Sequence, residues 1–170
     1  QIETHNLSSR DSHLLKILCG YAGLKVAKAT GRPVTNARTF CYRKLHNRDT
    51  PPALYDPTSR SVGIHQFVLE NATKFLNTEE KDDLEQRLIA QRPIEEFLKS
   101  NTTRDIINAL VHEHAHYLFD MTLKDAVYSA LRKKGSDIRG KYALRIDSID
   151  EGFAFAVQER ATGLIPLCET

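Results

Sequence analysis

The fold class that this sequence predicts is α+β, with a small mixed or antiparallel sheet placed ahead of a helical half. Three features lead there: a long amphipathic helix opens the chain, short segments bounded by turn residues crowd between Ala37 and Phe67, and helical periodicity takes over afterwards. At 170 residues the chain is the size of one ordinary domain and can bury a real core. Residues 1–170 are therefore read as one domain, in which residues 1–52 form an N-terminal helical and extended part of open role.

Ser8 or Ser9 can cap a first helix running to about Thr30, with Leu14, Leu15, Leu18, Tyr21, Leu24 and Val26 on its apolar face and Gly31-Arg-Pro33 ending it. Ala37 to Tyr42 suits a strand. Thr50-Pro-Pro52 breaks the pattern, and Ala53 to Phe67 has the form of a hairpin: Leu54 and Tyr55, a turn around Asp56-Pro57, then Ser61 to His65. Helical patterns follow over Phe67 to Leu76, Glu79 to Gln91 and Pro93 to Lys99. Thr102 or Thr103 can cap the next helix, which runs to about Phe119. Thr122-Leu-Lys-Asp125 has capping-box form and marks a further helix that stops near Gly135. A last helix begins near Ser148 and ends before Gly163.

Composition narrows the function classes. Lys and Arg number 24 against 22 Asp and Glu, a formal charge of +2 spread along the chain, so no basic footprint of a nucleic-acid binder stands out. No apolar run approaches the roughly 20 residues of a spanning helix, and no membrane partner is expected. Cys19, Cys41 and Cys168 are odd in number and widely spaced, which argues for free thiols over a disulfide framework or a thiolate metal cluster. Sequons at Asn6, Asn71 and Asn101 would suit a secreted or extracytoplasmic protein, and the compartment is otherwise open.

The strongest signal is His112-Glu-His-Ala-His116, an HExxH pattern inside a helix. Four residues of α-helix rise about 6 Å and turn about 400°, so His112 and His116 project from one face and can share a zinc ion. Glu113 sits about 100° away, placed to take a proton from a water that zinc has acidified. Ile107, Leu110, Val111, His114 and Leu118 form the opposite, core-facing stripe, which makes His114 a structural residue rather than a ligand. The plainer alternative is three histidines on a solvated helix face. Two imidazoles leave zinc under-coordinated, so a third protein ligand is required. Asp120 shares their face, but a straight helix cannot readily wrap three consecutive turns around one metal, and Asp120 is expected either to support the site from outside or to be structural.

The extended metzincin pattern HExxHxxGxxH does not fit, since Phe119 and Thr122 stand where it has glycine and the third histidine. Asp150-Glu-Gly-Phe-Ala154, by contrast, resembles the second motif of the gluzincin peptidases, and the compact minigluzincins are the most similar group. The likeness spans roughly residues 53 to 162 and implies a zincin-like fold: an edge strand over the cleft, the HExxH helix, then a helix carrying a glutamate ligand. It implies Glu151 as the third zinc ligand; the alternative is that Glu151 closes a capping box with Ser148. It also implies endopeptidase activity on a peptide or protein substrate laid along the strand near Ser61 to Phe67, by a chain expected to be monomeric. An oxyanion donor from beyond the motif is implied too, with Tyr128, Tyr142 and His65 as candidates. Phe155 departs from the thermolysin-like pattern, which has an aspartate there to orient a histidine ligand, so that partner must come from elsewhere. The spacing from His116 to Glu151 is also longer than in the thermolysin-like enzymes. The tail Leu164-Ile-Pro-Leu-Cys-Glu-Thr170 is expected to pack by its apolar residues; folding back on the cleft would instead make the protein latent. A rival function is a catalytically inactive peptidase-like domain that binds a protein partner or acts as a sensor. Another is a helical interaction domain without metal.

Overall fold

The computed structural model describes residues 2–34, 37–45, 51–73, 101–133 and 143–163, with a few single positions between 79 and 90. The helix expected over Glu79–Gln91 falls largely outside these residues. The segment Pro93–Lys99, Tyr142, and the tail from Leu164 with Cys168 lie wholly outside them.

Helix α1 (Ser9–Thr30) starts where the Ser8 hydroxyl accepts the Asp11 backbone N–H at 3.2 Å. It stops where Gly31 turns left-handed at φ 69° and donates its N–H to the Ala27 carbonyl. Strand β1 (Ile2–Thr4) pairs antiparallel with β2 (Arg38–Leu45), β2 pairs parallel with β4 (Ser61–His65), and β4 pairs antiparallel with β3 (Ala53–Asp56). The result is a mixed four-stranded sheet in the order β1-β2-β4-β3. The expected β3–β4 hairpin is present: the Asp56 carboxylate accepts from the Thr58 N–H at 3.0 Å and the Ser59 hydroxyl at 2.5 Å, and Arg60 turns the chain at φ 51°. Gly63 is required where it stands, because a Cβ there would lie 2.5 Å from Cζ of Phe40, its partner across the β2–β4 ladder.

The strand Ser61 to His65 departs from expectation. It is not an edge strand but an interior one, hydrogen-bonded on both sides, and its four residues Ser61 to Ile64 are buried. Its near-continuous burial is why it lacks the polar alternation of an edge. The edge is β3.

Strand β4 runs directly into α2 (Gln66–Thr73), and after the intervening segment α3 (Asn101–Leu118) begins. Thr102 and Thr103 thus lie in its first turn and do not cap it. At its far end α3 continues without a break. A π-helical turn, Phe119–Leu123, joins it to α4 (Lys124–Lys133), and the Thr122 hydroxyl donates back to the Leu118 carbonyl at 2.7 Å instead of capping a new helix. Helix α5 (Ala143–Thr162) starts five residues before Ser148, which places Ser148 in the helix interior and removes the capping-box alternative for Glu151.

Helix α3 is the centre of the molecule. It packs on α1 and α5 and against strands β3 and β4, and its Leu110, Val111 and Ala115 are fully buried. Burial of a leucine or valine side chain contributes about 1.5–3 kcal/mol relative to exposure. The same core takes in Leu14, Leu15 and Leu18 of α1, Val62 and Ile64 of β4, and Ala154 and Val157 of α5. Residues of the N-terminal part are therefore built into the core that supports α3.

Candidate metal centre

The stripe expected on α3 is the buried one: Ile107, Leu110, Val111, His114 and Leu118 are each 4% exposed or less. That orientation turns His112, Glu113 and His116 toward a cleft of about 430 Å³ between α3, the edge strand β3 and α5. His114 lies on the core side with its Nδ1–H donated to the Leu110 carbonyl at 2.7 Å, and burial lowers its pKa to about 4. Its structural role agrees with the sequence.

His112 Nε2 lies 3.1 Å from His116 Nε2 and 3.0 Å from Glu151 Oε1, and His116 Nε2 lies 3.2 Å from Glu151 Oε2. Helix α5 brings Glu151 to the two histidines by packing Ala154 and Val157 into the shared core. A metal with bonds of roughly 2.0–2.1 Å and tetrahedral angles separates its ligand atoms by about 3.3 Å. The two ring nitrogens stand close to that spacing from each other and each from one oxygen of the Glu151 carboxylate; one ligand atom from each residue lies within 4.8 Å of the others, and this group could hold a metal ion.

The outer nitrogens of both rings are already committed. His112 Nδ1 faces Gln158 Oε1 at 3.0 Å, and His116 Nδ1 faces Asp150 Oδ1 at 2.7 Å. Both acceptors call for Nδ1–H, the tautomer that leaves each Nε2 with a lone pair directed at the other and at the Glu151 carboxylate. Two ring lone pairs and a carboxylate so close together repel one another unless a cation or a shared proton stands among them. These partners also answer the departure at Phe155. That ring packs 4.8 Å from the His112 ring, and Gln158 and Asp150 do the orienting.

Electrostatics around the cluster follow from burial and from Asp150. Burial lowers the His112 pKa, with help from the neighbouring His116 and against the pull of Glu151. Burial acts the same way on His116 but is outweighed by the hydrogen bond and charge of Asp150 and by Glu113 and Glu151, so its pKa is raised. Glu113 is pushed up to about 7 by burial, against the opposing effects of His116 and of a hydrogen bond from the Tyr55 backbone N–H. That N–H is on the side of β3 turned away from β4, so the general-base candidate is tied to the sheet edge.

Asp120 lines the cleft and is not part of the His112, His116 and Glu151 group. It accepts the Tyr55 hydroxyl at 2.5 Å and the Lys124 ammonium at 3.1 Å, bonds that outweigh burial and lower its pKa. Of the oxyanion candidates, His65 is held between the Arg43 carbonyl at 2.8 Å and the Phe67 N–H at 3.1 Å and does not line the cleft. Tyr128 lies on α4 and does not line it either, and Tyr142 is outside the described residues. Tyr55 and Lys124 do line it and were not singled out by sequence. Gln158 was legible in principle, two turns along the same helix face from Glu151; nothing local in the sequence points to Tyr55.

Comparison with protein-family models, with characterised proteins and with solved structures finds no match to this chain.

Proposed function

We propose that the protein is a zincin-like, zinc-dependent peptidase that hydrolyses peptide bonds with Glu113 as general base and His112, His116 and Glu151 as metal ligands. The observation that carries this is the convergence of the two HExxH histidines and Glu151 at 3.0–3.2 Å, with both outer ring nitrogens held by acceptors. Two imidazoles and one carboxylate, with a position left over for water or substrate, form a donor set that suits catalytic zinc. When bound, zinc would polarise the scissile carbonyl and acidify a water molecule.

The remaining work falls to the chain. Glu113, whose burial makes its carboxylate a better proton acceptor than an exposed one, takes the proton of the attacking water and passes it to the leaving amine. Asp150 and Gln158 hold the imidazoles in the binding tautomer. A peptide or protein substrate would lie along β3, not β4. Backbone groups alternate in direction along a strand, so the outward Tyr55 N–H implies that Ala53 also presents its N–H and C=O to the cleft, where an added strand can pair. Endopeptidase specificity fits a cleft bordered by an open strand edge.

Zinc content by elemental analysis together with cleavage of a mixed peptide library tests the reading. About one zinc per chain with cleavage that Glu113→Gln abolishes is expected. Zinc without cleavage would leave a metal-holding domain that binds a partner, and absence of zinc after incubation at neutral pH would overturn the proposal.

A further inference from the structure

We propose that a second cavity, on the opposite side of α3 from the metal cluster, binds a small amphipathic carboxylate whose apolar body carries a hydrogen-bond donor. The cavity measures about 560 Å³, within the usual size range of small-molecule sites, and lies between α1 and the start of β2. His114 forms part of its wall, two residues and so about 200° around the helix from both His112 and His116.

Three independent features define what it would take. The first is the wall supplied by α1. Gly20 and Gly23 stand three residues apart on one face in mid-helix, where glycine is a poor helix former. A Cβ at Gly20 would meet no atom within 4 Å, so the wall opens there straight into the cavity. At Gly23 a Cβ would stand 3.6 Å from His114 Cδ2, so that glycine brings the imidazole to the surface of the cavity. Cys19, Val34 and Ala37 make the rest of the wall mostly apolar.

The second feature is His114 itself, 2% exposed. Its Nδ1–H is donated to the Leu110 carbonyl, which makes Nε2 an acceptor, and among the described residues Nε2 has no hydrogen-bond partner. No side-chain nitrogen or oxygen among the described residues is both buried and unpartnered, so Nε2 is reached from the cavity that His114 lines and can accept a hydroxyl or N–H from whatever fills it. The third is the rim. Lys16 and Arg38 are exposed there, and among the described residues neither is ion-paired and the lining contains no acidic side chain. Leu24, 47% exposed, stands with them. Two cations beside an exposed leucine suit a carboxylate head at the mouth, which Arg38 can take through two N–H donors, with the aliphatic body directed inward.

Isothermal titration calorimetry of the full chain with ω-hydroxydecanoate tests this. A chelator is present throughout, so that no carboxylate binds through metal and the result does not depend on the peptidase reading. Saturable one-site binding is expected. Gly20→Leu, which fills the cavity while improving helix propensity, should weaken it at least about tenfold, with the fold checked by circular dichroism. The surface pair Lys16→Gln and Arg38→Gln should weaken it by about tenfold while leaving binding of the uncharged decanediol unchanged. Lack of saturable binding below the probe's micelle concentration, equal affinity in folded Gly20→Leu, or equal affinity in the charge-neutralised pair would each overturn the proposal.

Discussion

Asp150 Oδ1 lies 2.7 Å from His116 Nδ1, one residue before the carboxylate that faces the same ring's Nε2. One helical turn thus addresses both nitrogens of one imidazole. Asp150→Asn, which can still accept a hydrogen bond but loses the charge, is expected to lower zinc affinity by about 10–100-fold without removing a ligand. Competition with a calibrated chelator measures this. Affinity equal to wild type would make the Asp150 contact incidental.

Zinc should stabilise the folded chain through the same cluster. At a free concentration one hundred times its dissociation constant, the expected gain is about 2.7 kcal/mol, seen as a rise in Tm. Glu151→Ala and His112→Ala should each abolish the rise. A Tm insensitive to zinc in wild type, or an undiminished rise in the variants, would show that these side chains do not hold the metal.

Glu113 gives a signed pH dependence in the metal-free protein. Its folded pKa, about 7, is above the ordinary 4.5, so the neutral form is favoured on folding. The stability advantage this gives is complete below about pH 4.5 and is lost as pH rises through 7, at about 1.4 kcal/mol per unit, so at most about 3 kcal/mol. The stability of wild type relative to Glu113→Gln should therefore fall across that window, measured by urea denaturation at a series of pH values. A flat difference would mean that the carboxylate is solvated.

The edge of β3 supplies a test of substrate docking. Ala53→Pro deletes a backbone donor turned away from β4, leaving the β3–β4 ladder intact, and should raise KM severalfold while zinc content stays unchanged. Lower zinc content or a lost fold would assign Ala53 a structural role, and an unchanged KM would place the substrate elsewhere.

Inside the sheet, Gly63→Ala should destabilise the protein by about 1–3 kcal/mol, since its methyl would lie 2.5 Å from the Phe40 ring. Phe40→Leu in the same chain should recover part of that loss. Additive losses in the double variant would rule out the ring contact as the cause.

Much of this arrangement was legible in the sequence because it is local. The period of the apolar residues around His114 set which side of α3 faces the core, and Ser8 and Gly31 marked both ends of α1. Boundaries misled where two local signals coincide: Thr122 and Ser148 both begin capping-box patterns, yet a continuous helix passes through each. Tyr55 and the edge position of β3 depend on strand order. That order is decided by which faces of the sheet are covered, a tertiary matter that no short window of sequence records.

The place of α1 in the core bears on how the protein is made. Its apolar face is completed by α3 and α5, which leave the ribosome after it, so Leu14, Leu15 and Leu18 emerge long before their partners. Contacts so distant along the chain make folding slow and leave a sticky helix uncovered during synthesis. Attachment of a chaperone to the nascent N-terminal segment is the expected consequence, and release of that segment by cleavage would unseat the histidine helix rather than switch it on.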